Sequence, residues 1–232
     1  MLRATPKNMR DVKTLAYVLR RTNFGEADRI LNLITPEGKM SAIAKGVRKE
    51  KSKLAGGVEM FSLTELNLHF GKSEMATVTG AKMLAYYGNI LADFGKMELA
   101  AMILKKISLA AESSDAPEYF KLADSCLKGL NAGVASELVE SWFLINLSKT
   151  LGEEVNLYRD VGGEKLRAGE RYSFMAMENA FLPNVQGEYG EDEIKIMRLM
   201  LVMELAAVAR VKNVEKSLPV ILRFARITSK MI

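Results

Sequence analysis

Two hydrophobic periods divide the chain. As far as about Met83, apolar and polar positions alternate every second residue; beyond it, apolar positions recur every three to four residues. Residues 12–21 (VKTLAYVLRR) mix β-branched and aromatic positions and read as a strand. After the turn FGEAD (24–28), residues 29–35 place Ile30, Asn32 and Ile34 on one face and Arg29, Leu31, Leu33 and Thr35 on the other. PEGK (36–39) is a hairpin turn, with Pro36 and Gly38 in turn positions. Residues 40–47 form a third strand and 58–70 a fourth. The turn GKSE (71–74) leads into a fifth at 75–83. Five short strands suit a small closed β-barrel, which leaves no long edges.

The second period predicts helices. Residues 83–93 fit a short one, 97–112 a strong one, and 117–131 another with Pro117 at its start. Over 136–152, Ser136 is the expected N-cap and Gly152 the stop. Residues 153–190 break the pattern with five glycines and two short β-like runs, 171–177 and 180–183, as in an inserted loop with a small hairpin. One helix is expected over 191–211, rich in Met and buried, and a last basic helix over 215–232, irregular at Pro219. The fold class is therefore α+β in two domains: a five-stranded barrel over 1–80 and a helical domain over 81–232 carrying the 153–190 insertion.

Charge sharpens this division. Residues 1–80 hold 14 Lys and Arg against 8 Asp and Glu, a surplus of six; residues 81–232 hold 19 against 20. The surplus peaks at Lys45, Arg48, Lys49, Lys51 and Lys53, opposed only by Glu50. Cations this dense cannot face a core. They line a solvated loop or they meet a polyanion such as a nucleic-acid backbone. MLRATPKNMR has no apolar core of a secretory signal and no long apolar span occurs, so a cytoplasmic protein without a membrane segment is expected.

Bond-making chemistry finds little support. With one histidine, His69, and one cysteine, Cys126, there is no zinc cluster, no Ser–His–Asp triad and no Cys–His pair. Gly71-Lys72-Ser73 lacks the upstream glycine of a phosphate loop, because Leu66 stands there. Glu153–Glu154 and Glu191–Asp192–Glu193 read as solvated helix ends.

Residues 17–79 resemble the N-terminal domain of the RecO family of DNA repair and recombination mediators. The matching pieces are the [YF]GEAD turn at Phe24–Asp28, the hairpin Thr35-Pro-Glu-Gly-Lys39, the segment marked by Ala42, Gly46, Arg48 and Lys49, the run Ser52-Lys53-Leu54 with Gly56, and Phe61, Glu65 and Leu66. The helical remainder is similar only in layout. Many members carry a four-cysteine zinc ribbon in it. Here Arg159 and Gly162 stand at the first cysteine pair and residues 178–184 at the second, so a metal-free hairpin is expected, with neither zinc nor another cofactor.

The resemblance implies an oligonucleotide-binding (OB) barrel and a mediator that is no enzyme. It would bind single- and double-stranded DNA, anneal complementary strands, and help load RecA onto strand coated by single-strand-binding protein, together with RecR. A nucleoid-associated place in the cytoplasm goes with it. The residues expected to contact phosphates are Lys45, Arg48, Lys49, Lys51 and Lys53, followed by Arg20, Arg21, Arg29 and Lys39. Phe24 is a candidate to stack on bases, and Tyr17 is either a second one or barrel core. The acidic, phenylalanine-ended tail of single-strand-binding protein would dock on the last helix, at Arg223, Arg226 and Lys230 beside Leu222, Phe224 and Ile227, near the Met-rich helix. The competing class is a barrel that serves only as a protein-docking module. Direct DNA binding with a steep salt dependence separates the two.

Overall fold

A computed structural model describes residues 10–73, 75–114 and 116–229. Five strands form the N-terminal sheet: β1 (Arg10–Phe24), β2 (Asp28–Thr35), β3 (Gly38–Ala44), β4 (Ser62–Phe70) and β5 (Ala76–Tyr86). β1 serves two neighbours. Its first half, Arg10–Ala16, pairs with β4, and its second half, Tyr17–Phe24, with β2. A register shift between Val18 and Arg20 marks the changeover. β2 pairs with β3, β4 with β5, and a short parallel contact, Ala42 to Ala76 and Ile43 to Thr77, joins β3 to β5. Each strand thus has two partners and the ring closes in the order β1-β2-β3-β5-β4. Ala16, Val18, Leu31, Leu33, Ala42, Leu66, Leu68 and Val78 fill its interior.

The helix expected over 83–93 is largely strand. β5 continues to Tyr86 because β4 offers it partners, Lys82 against Glu65 and Tyr86 against Ser62. Pairing along an open edge outweighs the local helical pattern. Only α1 (Gly88–Leu91) remains of that helix. α2 (Phe94–Ser113) follows, its first turn capped by the Asp93 carboxylate, which accepts the Lys96 N–H at 3.0 Å. Then come α3 (Glu118–Asn131) and α4 (Ser136–Thr150). Ala135, not Ser136, holds the N-cap position of α4, without a side-chain cap. Gly152 ends that helix as expected, at φ +84°. The chain divides into two compact units, residues 1–124 and 125–232, with the division inside α3.

In the second unit the insertion forms the hairpin β6 (Tyr172–Met175) and β7 (Ala180–Pro183). The helix expected over 191–211 is two: α5 (Glu191–Val202) and α6 (Leu205–Val208), with Met203 extended between them. No proline causes the break. Side chains one α4 face apart take the freed carbonyls instead: Asn146 donates to Met200 at 2.9 Å, Lys149 to Leu201 at 3.0 Å and Trp142 to Met203 at 3.0 Å. α7 (Val214–Thr228) runs through Pro219 as a helix. Among the described residues no helix is long and apolar enough to cross a membrane.

Candidate nucleic-acid interface

The basic run between β3 and β4 rests on a defined scaffold. Val47 and Val58 are buried at its two ends and Leu54 packs on the barrel core between them. Gly46 turns the chain at φ +64°, where a side chain is strained, and its N–H donates to the Asp28 carboxylate at 2.7 Å. The Arg48 N–H donates to the Ala27 carbonyl at 2.9 Å, and its guanidinium to the Gly25 carbonyl at 3.3 Å. Successive turns follow, Lys49 N–H to Gly46 O at 3.1 Å and Ser52 N–H to Lys49 O at 3.0 Å. The β1–β2 turn and the basic loop are therefore one joint. At the far end Gly57 lies against β5; a Cβ there would sit 2.5 Å from Ala81 Cβ and 2.9 Å from its carbonyl carbon, so only glycine fits.

Three environments separate the nine candidate cations. Lys45, Arg48, Lys49, Lys51 and Lys53 are all exposed, as is Arg20. Among the described residues none of these six has a carboxylate within salt-bridge distance. Arg21 and Arg29 are half-buried and share Glu59, at 2.5 and 3.9 Å. Lys39 is committed elsewhere: its ammonium donates to the Ser108 carbonyl at 2.8 Å and to Glu112 at 3.1 Å, at the C-terminal end of α2.

The outer face of β1–β2–β3 is divided in the same way. Tyr17, Ile34 and Lys39 form one cross-strand row, and helices of the first unit cover it. Tyr17 is 1% exposed. Its hydroxyl donates to Asp124 at 2.7 Å and lies 3.0 Å from the Tyr87 hydroxyl, and its ring centroid is 5.5 Å from that of Phe120. Burial pushes its pKa well above the ordinary tyrosine value. Of its two expected roles, core is the one the fold gives it. The neighbouring rows stay open: Arg20, Asn32 and Ser41, then Thr22, Ile30 and Ile43. Phe24, 52% exposed, stands at the end of β1 beside them. In barrels of this topology the face of strands 2 and 3 is where oligonucleotides lie. The clean alternation of β2 already contained these face residues. Glu59 carried no signal of its own, being one acid after a glycine-rich turn.

The residues expected to receive a peptide lie in the second unit. Phe224 is 2% exposed, inside a cluster with Phe174, Phe181 and Tyr189, whose ring centroids lie 4.8, 5.8 and 5.9 Å away. Leu222 is buried beside it, and so are Met197 and Met200 of α5. Ile227 is half-buried. Arg226 makes a two-pronged bond to Glu140, at 2.6 and 2.8 Å, which raises its pKa. Arg223 pairs with Glu188 at 3.1 Å. Lys230 lies outside the described residues. Near the hairpin, the Asp160 carboxylate accepts the N–H groups of Gly162 and Glu164, both at 2.9 Å, and so closes the loop where the first cysteine pair would stand. Among the described residues no three His, Cys, Asp or Glu converge as metal ligands.

Comparison with known proteins covers both units. The family model "Recombination protein O N terminal" matches residues 9–87, and "Recombination protein O C terminal" matches residues 92–226. A DNA repair protein RecO of Dehalococcoides mccartyi (strain CBDB1) is 32% identical over 214 residues, covering 87% of this chain and 83% of the relative. One from Roseiflexus sp. (strain RS-1) is 31% identical over 204 residues, covering 86% and 69%. One from Heliobacterium modesticaldum is 34% identical over 159 residues, covering 66% and 57%.

Proposed function

The chain belongs to the RecO family, and on that premise we propose that it is a DNA-binding recombination mediator in DNA repair, with the barrel as its DNA-binding module. The observation that carries this reading is the set of six cations without carboxylate partners, five of them on a pinned loop beside an open β1–β2–β3 face. Phosphate contacts position a strand and carry no sequence information. Arg and Lys on a shallow face of Thr22, Ile30, Asn32, Ser41 and Ile43 therefore suit DNA of any sequence, with Phe24 available for stacking. Such a surface neutralises two strands and lets them exchange, which is what annealing requires. It needs no catalytic base, metal or nucleotide, and the protein acts as a mediator rather than an enzyme.

The partners proposed with it are those the family resemblance implies: single- and double-stranded DNA, RecR, the tail of single-strand-binding protein, and RecA indirectly, in the cytoplasm at the nucleoid. Docking of the tail on α7 would engage the outer edges of Arg223 and Arg226, and an acidic peptide would compete there with Glu188 and Glu140.

Salt-titrated fluorescence anisotropy on the full-length chain tests the central claim. Replacing Arg48 and Lys49 with Glu should weaken binding and make the slope of log K against log salt shallower by about 1.4 on single strands and about 1.8 on duplex. Unchanged affinity and slope would refute the assignment. Absence of DNA binding in the unaltered protein would favour the protein-docking reading.

A further inference from the structure

One acid lies between the end of the basic loop and two of the nine candidate cations, on the face of the β1–β2 ribbon opposite the open rows of Thr22, Ile30 and Asn32. Glu59 follows the basic loop directly and points its two carboxylate oxygens at two arginines of the β1–β2 ribbon. Arg21 Nη1 is 2.5 Å from one oxygen and Arg29 Nη1 3.9 Å from the other. Asn23, across the ribbon, accepts from Arg29 Nε at 3.3 Å and helps aim that guanidinium. Two guanidinium groups converging on one planar anion is also how a phosphate is held.

The backbone around Glu59 is clamped, and the side chain is not. The Ser62 hydroxyl donates to the Glu59 carbonyl at 2.8 Å, and the Tyr87 N–H donates to the Phe61 carbonyl at 3.2 Å. Phe61 between them takes φ +55°, a left-handed conformation costly for a bulky residue. It persists because Phe61 is 7% exposed and the carbonyls of Glu59 and of Phe61 itself are both held. This strained turn fixes where the Glu59 carboxylate starts. The side chain itself is 41% exposed, so part of it already faces water.

We propose that Glu59 is a built-in phosphate stand-in, which keeps Arg21 and Arg29 occupied until a DNA phosphate displaces it. The proposal rests on the DNA-binding reading above. On it, the interface works in two stages. The six unpaired cations capture the strand, and a backbone seated in the right register then exchanges one of its phosphates for Glu59. A polyanion that reaches only the loop leaves the exchange undone, so Glu59 discriminates seated strand from loosely held strand. Arg21 and Arg29 are in this scheme positioning cations that act late.

The test is anisotropy titration of the full-length chain with single-stranded oligonucleotide across a salt series. Glu59→Gln keeps the size and one acceptor oxygen but gives up the charge. It should tighten binding roughly three- to tenfold near 0.1 M salt, and adding Arg21→Gln should abolish that gain. Glu50→Gln is the control for simple loss of negative charge, because Glu50 is exposed in the basic run and, among the described residues, makes no ion pair. Its gain should be less than half as large. An equal gain in Glu50→Gln, a gain that survives Arg21→Gln, or no gain at Glu59 would each overturn the proposal. If Glu59→Gln alters thermal melting, Arg21→Gln alone decides: it must weaken binding, and unchanged affinity defeats the exchange. Failure of the unaltered protein to bind DNA would defeat the DNA-binding reading itself, a result distinct from these.

Discussion

Replacing Phe224 with alanine tests how the insertion is held. A hairpin with strands of four residues is marginal in water unless something packs on it. Here Phe174 and Phe181 of the hairpin meet Phe224 of α7 at 4.8 and 5.8 Å, and Tyr189 closes on it at 5.9 Å. Truncating a buried phenylalanine costs about 3–5 kcal/mol, and each lost ring pair contributes roughly 0.5–1.5 kcal/mol beyond area. With three ring partners and 2% exposure the upper half of that range applies, about 4–5 kcal/mol. For a chain of this size one kcal/mol moves the melting temperature by about 2–4 °C, so a fall of about 8–20 °C is expected by calorimetry. Hydrogen exchange localises it. The Tyr172 and Tyr189 amides, each bonded to the other's carbonyl at 2.9 and 3.1 Å, should lose protection first. A chelator added to the unaltered protein should leave melting unchanged, since the rings pack the hairpin and no three ligands converge among the described residues. A shift below about 3 °C with protection retained would refute the packing argument, as would a chelator effect as large as that of the substitution.

Lys39→Ala should lower stability by about 1–2 kcal/mol, through loss of the bonds to Ser108 and Glu112, while DNA affinity and salt slope stay as they are; a slope lower by about one would return Lys39 to the interface. Gly57→Ala should destabilise by about 1–3 kcal/mol, because the new methyl meets the β5 backbone at Ala81, and an unchanged melting temperature would mean that the turn relaxes away from β5.

The barrel was legible because its strands are half-buried and alternate. Leu31 and Leu33 fall on the inner face as the pattern of β2 requires. The helical half was less so, since its boundaries depend on partners far away in sequence. Nothing local to Met203 breaks a helix; Trp142, Asn146 and Lys149 do, each 52 to 61 residues from the carbonyl it takes. Helical periodicity at 83–86 likewise gave way to the open edge of β4. The burial of Phe224 is illegible in the sequence, which cannot show four rings meeting. The interface was legible as charge density and illegible as geometry, because a lysine reads the same whether a carboxylate waits beside it or not.

That difference matters for what the barrel can do. Taken as a count, nine cations over 20–53 would mean a strand held at nine points and slow to leave. The fold divides them. Lys39 fastens the barrel to α2 and Arg21 and Arg29 answer to Glu59; the other six have no carboxylate partner among the described residues, and on the proposed reading they meet phosphates first. The proposed annealing role requires that strands be released, and each phosphate contact adds to a salt-sensitive total that opposes release. A pinned loop supplies contacts without an ordering cost at each encounter, so fewer contacts suffice for capture. Asp28 and Gly46 are what pin it. Two of the stretches that carry the family resemblance, the turn at Phe24–Asp28 and the segment from Ala42 to Lys49, are thus the two halves of one hydrogen-bonded joint. On the proposed reading, the joint presents cations at fixed spacing and leaves the strand itself free to exchange.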